Sequence, residues 1–133
     1  MQQIIKPIIL GAIAALGLAG AALAADPLEG TWKTEVDDGS YAHIDISPCG
    51  DAFCGVIAQS FNDSGPYVSE NQGKTLVIGM VPQGDGHYAG KVWRPSNDKI
   101  YIGKMDLKGN SLALRGCVAG GLICSKQTWK RVK

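Results

Sequence analysis

A chain of 133 residues has room for one domain and a leader, and with Lys6 set aside twelve basic residues stand against twelve acidic ones. That balance, with no run of like charge, gives phosphate-driven binding of nucleic acid no source and offers nothing to an anionic membrane surface. Four cysteines and 18 glycines point instead to a disulfide-braced, turn-rich exported domain.

Residues 1–24 read as a signal-peptide helix. Lys6 is the only early charge, an Ala/Gly/Leu/Ile stretch runs from Pro7 to Ala25, and the first acid is Asp26. Ala22-Leu23-Ala24 supplies small residues for cleavage after Ala24, with the neighbouring frame after Ala25 as the alternative; residues 25–133 are then the mature domain. The competing reading is an uncleaved anchor, since the apolar run approaches the roughly 20 residues that span a bilayer. Its alanines and glycines make it weakly hydrophobic, and no cysteine lies near the cut to carry a lipid. The expectation is a periplasmic or secreted domain without a stable membrane anchor.

Beyond the leader, period-two alternation recurs between turn residues, the pattern of an antiparallel all-β domain. The first run, Gly30 to Val36, sets Trp32, Thr34 and Val36 against Thr31, Lys33 and Glu35, and Asp37-Asp38-Gly39-Ser40 turns the chain. The next strand sets Ala42, Ile44 and Ile46 against Tyr41, His43 and Asp45, and reaches a third strand through Cys49-Gly50-Asp51. Phe61 to Gly73 is polar and patternless and reads as the longest loop. Strand character returns at Thr75–Val81, His87–Trp93, Ile100–Leu107, Ser111–Cys117 and Ser125–Val132. About eight antiparallel strands leave two exposed edges unless the sheet closes, which predicts an eight-stranded up-and-down barrel, with a flattened sandwich as the alternative.

The four cysteines, Cys49, Cys54, Cys117 and Cys124, admit three pairings. Cys49 with Cys54 and Cys117 with Cys124 is favoured, because each pair flanks a short turn between strand-like runs. Neither spacing fits a thioredoxin-type centre, and no histidine follows at zinc-finger spacing, so no metal is expected. The glycine-rich Gly116–Gly121 stretch lacks the lysine and the following helix of a phosphate loop.

Gly30-Thr31-Trp32 opens the first strand and Trp129-Lys130-Arg131 closes the last, and closure makes those strands neighbours. Trp32, Trp129 and Arg131 in that arrangement resemble the barrel-closing Trp and Arg of lipocalins, with the guanidinium across an indole face. The alternative leaves both tryptophans in the core and Arg131 on the surface.

A broader resemblance covers Gly30 to Arg131. It is carried by Gly30-Thr31-Trp32, Cys54-Gly55-Val56-Ile57, Gly73-Lys74, Tyr88-Ala89-Gly90-Lys91-Val92, the stretch from Pro95 to Tyr101, Leu112 to Cys117, and Gln127-Thr128-Trp129-Lys130-Arg131. In these the chain is similar to the bacterial family "domain of unknown function 2147". The family usually has a glycine where Asn97-Asp98-Lys99 stands here, and an Asn-Asp turn can still reach left-handed conformations. The resemblance implies an exported lipocalin-like barrel and no established activity.

His43, Asp45 and His87 read as ordinary surface, and no nucleophile elbow or paired carboxylate is recognisable, so no catalytic residue, cofactor or enzymatic activity is expected. Two functional readings remain. In the first the barrel binds a small apolar or amphipathic ligand, with Trp32, Ile44, Ile46, Val56, Tyr88, Tyr101, Met105 and Leu114 as candidate lining. In the second those side chains fill the barrel, and the Phe61–Gly73 loop with Tyr67 meets a protein partner of the cell envelope. Oligomeric state is left open.

Overall fold

The computed structural model describes residues 25–133, so the expected leader lies outside the described residues. Nine strands form one antiparallel sheet: β1 (Gly30–Lys33), β2 (Tyr41–Cys49), β3 (Ala52–Asn62), β4 (Gly65–Tyr67), β5 (Thr75–Gly84), β6 (His87–Arg94), β7 (Lys99–Lys108), β8 (Ser111–Val118) and β9 (Ile123–Arg131). Their order is β2-β1-β9-β8-β7-β6-β5-β3-β4, with β2 also paired to β3. That extra pairing closes an eight-stranded barrel, and β4 lies outside the ring. It pairs with Ser60–Asn62 of β3, on the side β5 uses nearer the start of that strand.

Two expectations are corrected. The stretch from Phe61 to Gly73 contains the end of β3 and all of β4, because Asn62 and Gly65 form a tight hairpin that polar composition disguised. The first strand stops at Lys33, three residues short of Val36; the Thr34 side chain turns back to accept the Ala42 N–H at 3.0 Å, and Val36 is exposed.

The ring closes through a short seam: β1 meets β9 at Trp32 with Arg131 and Lys33 with Lys130, and just past β9 the Thr31 N–H donates to the Lys133 carbonyl at 2.6 Å while the Thr31 carbonyl accepts the Val132 N–H at 2.7 Å. Side chains reinforce it. The Arg131 guanidinium lies 4.4 Å from the Trp32 ring centroid, donates through Nη1 to the Glu29 carbonyl at 2.9 Å and through Nη2 to the Pro27 carbonyl, and bonds Asn110 Oδ1 through Nε at 2.9 Å. Trp32 Nε1 donates to the Leu28 carbonyl at 2.9 Å. A short segment before β1, turned by the Asp26 carboxylate accepting the Leu28 N–H, thereby plugs this end of the barrel and buries Leu28 completely. Tyr88 extends the plug by donating to Asp26 at 2.7 Å, and burial followed by that acceptor raises its phenol well above the ordinary value.

Cys49–Cys54 staples the β2–β3 turn at the plugged end, and Cys117–Cys124 staples β8 to β9 at the other, which is the expected local pairing. Within the Asn97-Asp98-Lys99 turn, Asp98 takes the left-handed φ of 54°. The core is densest above the plug, with Trp32, Ile44, Met80, Met105 and Leu112 fully buried. Gly90 permits this closeness: a Cβ there would lie 2.5 Å from the Gly79 carbonyl oxygen and 2.9 Å from that of Ile78.

Arg131→Ala removes the guanidinium from three acceptors and an indole face, and a loss of about 2–4 kcal/mol is expected by urea denaturation. Gly90→Ala is expected to cost about 1–3 kcal/mol in the same measurement, because backbone rather than a movable side chain must give way.

Candidate functional site

The end opposite the plug is hollow. There β1 has left the sheet, and β9 goes on without it; the Glu35 carboxylate takes the Thr128 N–H that β1 no longer reaches. Between the strands lies a cavity of about 500 Å³. Its apolar wall is Ile57, Leu76, Val92, Trp93, Leu114 and Trp129, with Tyr41, Tyr67 and Tyr101 higher up, and polar or charged side chains, among them Ser60, Asn71, Arg94, Lys126 and Gln127, make up nearly half of the lining. Gly116 on β8 widens the space: a Cβ there would meet nothing nearer than Tyr101 Cβ at 3.6 Å.

The mouth is strapped. Asp37, in the connection between β1 and β2, accepts from Arg94 Nε and Nη2, both at 2.8 Å, and from the Ser96 hydroxyl at 3.2 Å. Strands β1 and β6 are four places apart in a ring of eight, so this pair reaches across the full width of the opening. Ser40 adds a 3.0 Å hydrogen bond to the Tyr67 hydroxyl on β4. The Arg94 hydrogen bonds hold the Asp37 carboxyl below its ordinary value against a smaller opposing effect of burial.

The candidate lining residues divide into three groups. Tyr101 and Leu114 face the cavity. Trp32, Ile44, Ile46, Tyr88 and Met105 point inward but belong to the packed lower half, where the N-terminal plug leaves no space. Val56 is on the outer face, 37% exposed, and its neighbour Ile57 points in. The two are equally apolar, so alternation alone could not choose between them. A bulge then skips Ala58, because His43 pairs with Gln59 and Ile44 with Ile57; the inward positions therefore run Gly55, Ile57, Ser60. Val92 was legible as the next inward step after Tyr88 and Gly90. Arg94 and Asp37 carried no such signal, because their meeting depends on closure between segments 57 residues apart.

Trp129 and Arg131 also separate: Arg131 stacks on Trp32, whereas Trp129 contributes to the cavity wall and donates to Gln127 Oε1 at 2.7 Å. His87, Asp106 and Arg115 form a hydrogen-bonded chain on the outside of the barrel, outside the cavity lining, with Arg115 ion-paired to Asp106. His43 packs against Phe61, and the Asp45 carboxylate accepts the Thr31 hydroxyl. Among the described residues no three His, Cys, Asp or Glu side chains gather as a metal site, and no helix is long and apolar enough to cross a membrane.

Residues 30–131 match the family described as "Uncharacterized protein conserved in bacteria (DUF2147)". No curated protein matches the chain. Among solved structures, protein HP1028 from Helicobacter pylori, described as belonging to the lipocalin family, is similar with a TM-score of 0.62 at 16% identity, over 83% of this chain and 85% of that one. Fatty-acid-binding protein 1 of Echinococcus granulosus is similar with a TM-score of 0.47 at 12% identity, over 80% of this chain and 98% of that one.

The Asp37–Arg94 strap gives a pH signature. A carboxyl whose folded pKa is depressed adds stability above its unfolded value, near 4, and loses it as pH falls through the folded value. Arg94 is exposed and Asp37 half-buried, so solvent screening keeps the contribution small. Asp37→Asn should lower the urea midpoint slightly at pH 7 and leave it unchanged relative to the parent near pH 2.

Proposed function

The chain belongs to the DUF2147 family of uncharacterized bacterial proteins, and from that premise we propose that it is a non-enzymatic carrier for one small apolar or amphipathic molecule, held in the upper half of a lipocalin-like barrel and exported to the periplasm. The observation that carries the reading is the cavity: about 500 Å³ falls within the usual range for small-molecule sites, and its lining joins an aromatic and aliphatic wall to polar and charged side chains, a combination suited to an apolar body with a polar end. Tyr101, Leu114, Val92, Trp93 and Trp129 are the residues assigned to the apolar part of the cargo. Ser60, Gln127 and the tyrosine hydroxyls would orient a polar end. The two disulfides fit an oxidising compartment. A cavity of this size also weakens the alternative of a filled structural barrel.

Titration with a fluorescent apolar probe, followed by energy transfer from Trp93 and Trp129, tests the reading. Saturation at one probe per chain is expected. Gly116→Leu places a side chain in the cavity without a backbone clash, and should weaken binding about tenfold or more while leaving the urea midpoint near that of the parent. Absence of saturable binding, or undiminished binding by the filled variant, would overturn the assignment.

A further inference from the structure

Ten large apolar side chains stand exposed among the described residues, and seven of them lie at the mouth end of the barrel. Single exposed apolar residues need no explanation, but a cluster does. On the β7–β9 side, Leu122 is 87% exposed at the tip of the 3₁₀ turn Ala119–Gly121. Val118 and Ile123 are paired beside it at the ends of β8 and β9. Ile100 and Ile102 stand exposed at alternate positions of β7, the outward set to which Lys104 also belongs.

Next below this apolar edge comes a row of cations. Lys104 is the Cα partner of Arg115, and Arg115 of Lys126, so three like charges lie side by side on neighbouring strands. Such opposition is destabilising unless something answers it. Asp106 answers Arg115 but is shared with His87, and the Arg115 Nε is buried without a hydrogen-bond partner among the described residues. The other nearby acids are engaged elsewhere: Asp98 with the Trp93 indole, Glu35 with the Thr128 amide, Asp37 with Arg94. Ile102 and Lys104 are two residues apart on one strand, so the backbone that carries the cations lies about 7 Å below the apolar residues, and the Lys104 side chain reaches up from it, its Nζ 3.2 Å from where a Cβ on Gly121 would lie, beside Leu122. Apolar side chains flanked by long cationic ones suit a bilayer interface, where the former reach the headgroup–acyl boundary and the latter meet lipid phosphate.

We propose that the β7–β9 side of the mouth docks on an anionic phospholipid surface, with Leu122 and Ile123 entering the interface and Lys104, Arg115 and Lys126 facing the phosphates. The overall charge balance concealed this, because the cations are gathered on one side of one end. Docking there brings the cavity mouth to the membrane, but the inference does not depend on what the cavity holds.

Vesicle flotation of the purified protein, its N-terminus established by intact mass, provides the test. Vesicles of phosphatidylcholine with phosphatidylglycerol should carry the protein, phosphatidylcholine alone should carry much less, and added salt should release it. Leu122→Ser with Ile123→Ser, and separately Lys104→Gln with Lys126→Gln, should each reduce the bound fraction about tenfold or more, with far-UV circular dichroism unchanged. Gly116→Leu should float like the parent, which separates this surface from the cavity reading. Failure to float with anionic vesicles, flotation insensitive to both double variants, or self-association through the apolar tip without vesicle binding would each overturn the proposal.

Discussion

The whole arrangement rests on the Arg131 guanidinium lying over the Trp32 ring. Strands β1 and β9 share two residue pairs, continued by backbone hydrogen bonds between Thr31 and both Val132 and Lys133, so the seam is short beside the other strand pairings of the ring. One planar cation supplies what the short seam lacks. Its stacked face covers an indole, and its edge gathers two carbonyls of the N-terminal segment and the Asn110 side chain. The segment so held drives Leu28 into the barrel, which fills that end and fixes Trp32, Tyr88 and Met105 in close packing.

Sealing one end that tightly shapes the other. Because β1 has only four residues, the chain leaves the sheet early and crosses the mouth as a loop. The loop is fastened by charged and polar contacts, Asp37 to Arg94 and Ser40 to Tyr67, which can exchange with water far more readily than buried apolar contacts can. The result is a barrel with a fixed floor, a hollow upper half and a strap across the entrance. The two disulfides follow the same polarity, one beside the floor and one beside the entrance.

Much of this was legible in the sequence. Alternation located the strands of the ring, cysteine spacing around turns favoured one of three pairings, and Trp32 with Arg131 offered closure as one of two readings. The division of the interior was not legible. Trp32, Ile44, Ile46, Tyr88 and Met105 share the inward face with Tyr101 and Leu114, and only the three-dimensional position of the plug decides which of them meet empty space. Val56 was misplaced because Ile57 is equally apolar and the bulge at Ala58 leaves no trace in composition. Asp37 and Arg94 lie in turns that look alike to any local reading. The overall charge was likewise silent about where charge sits, since a balanced total is compatible with the cation row across β7, β8 and β9.

A barrel sealed at one end and hollow at the other has room for one guest molecule. Native mass spectrometry of the protein isolated gently from its native host, paired with organic extraction of the same sample, reads the occupancy of the cavity. For a carrier, the expected mass exceeds that of the chain by one small apolar or amphipathic molecule, lost on denaturation and recovered in the extract. A bare, monodisperse mass in every preparation, with an extract matching a buffer blank, would contradict it.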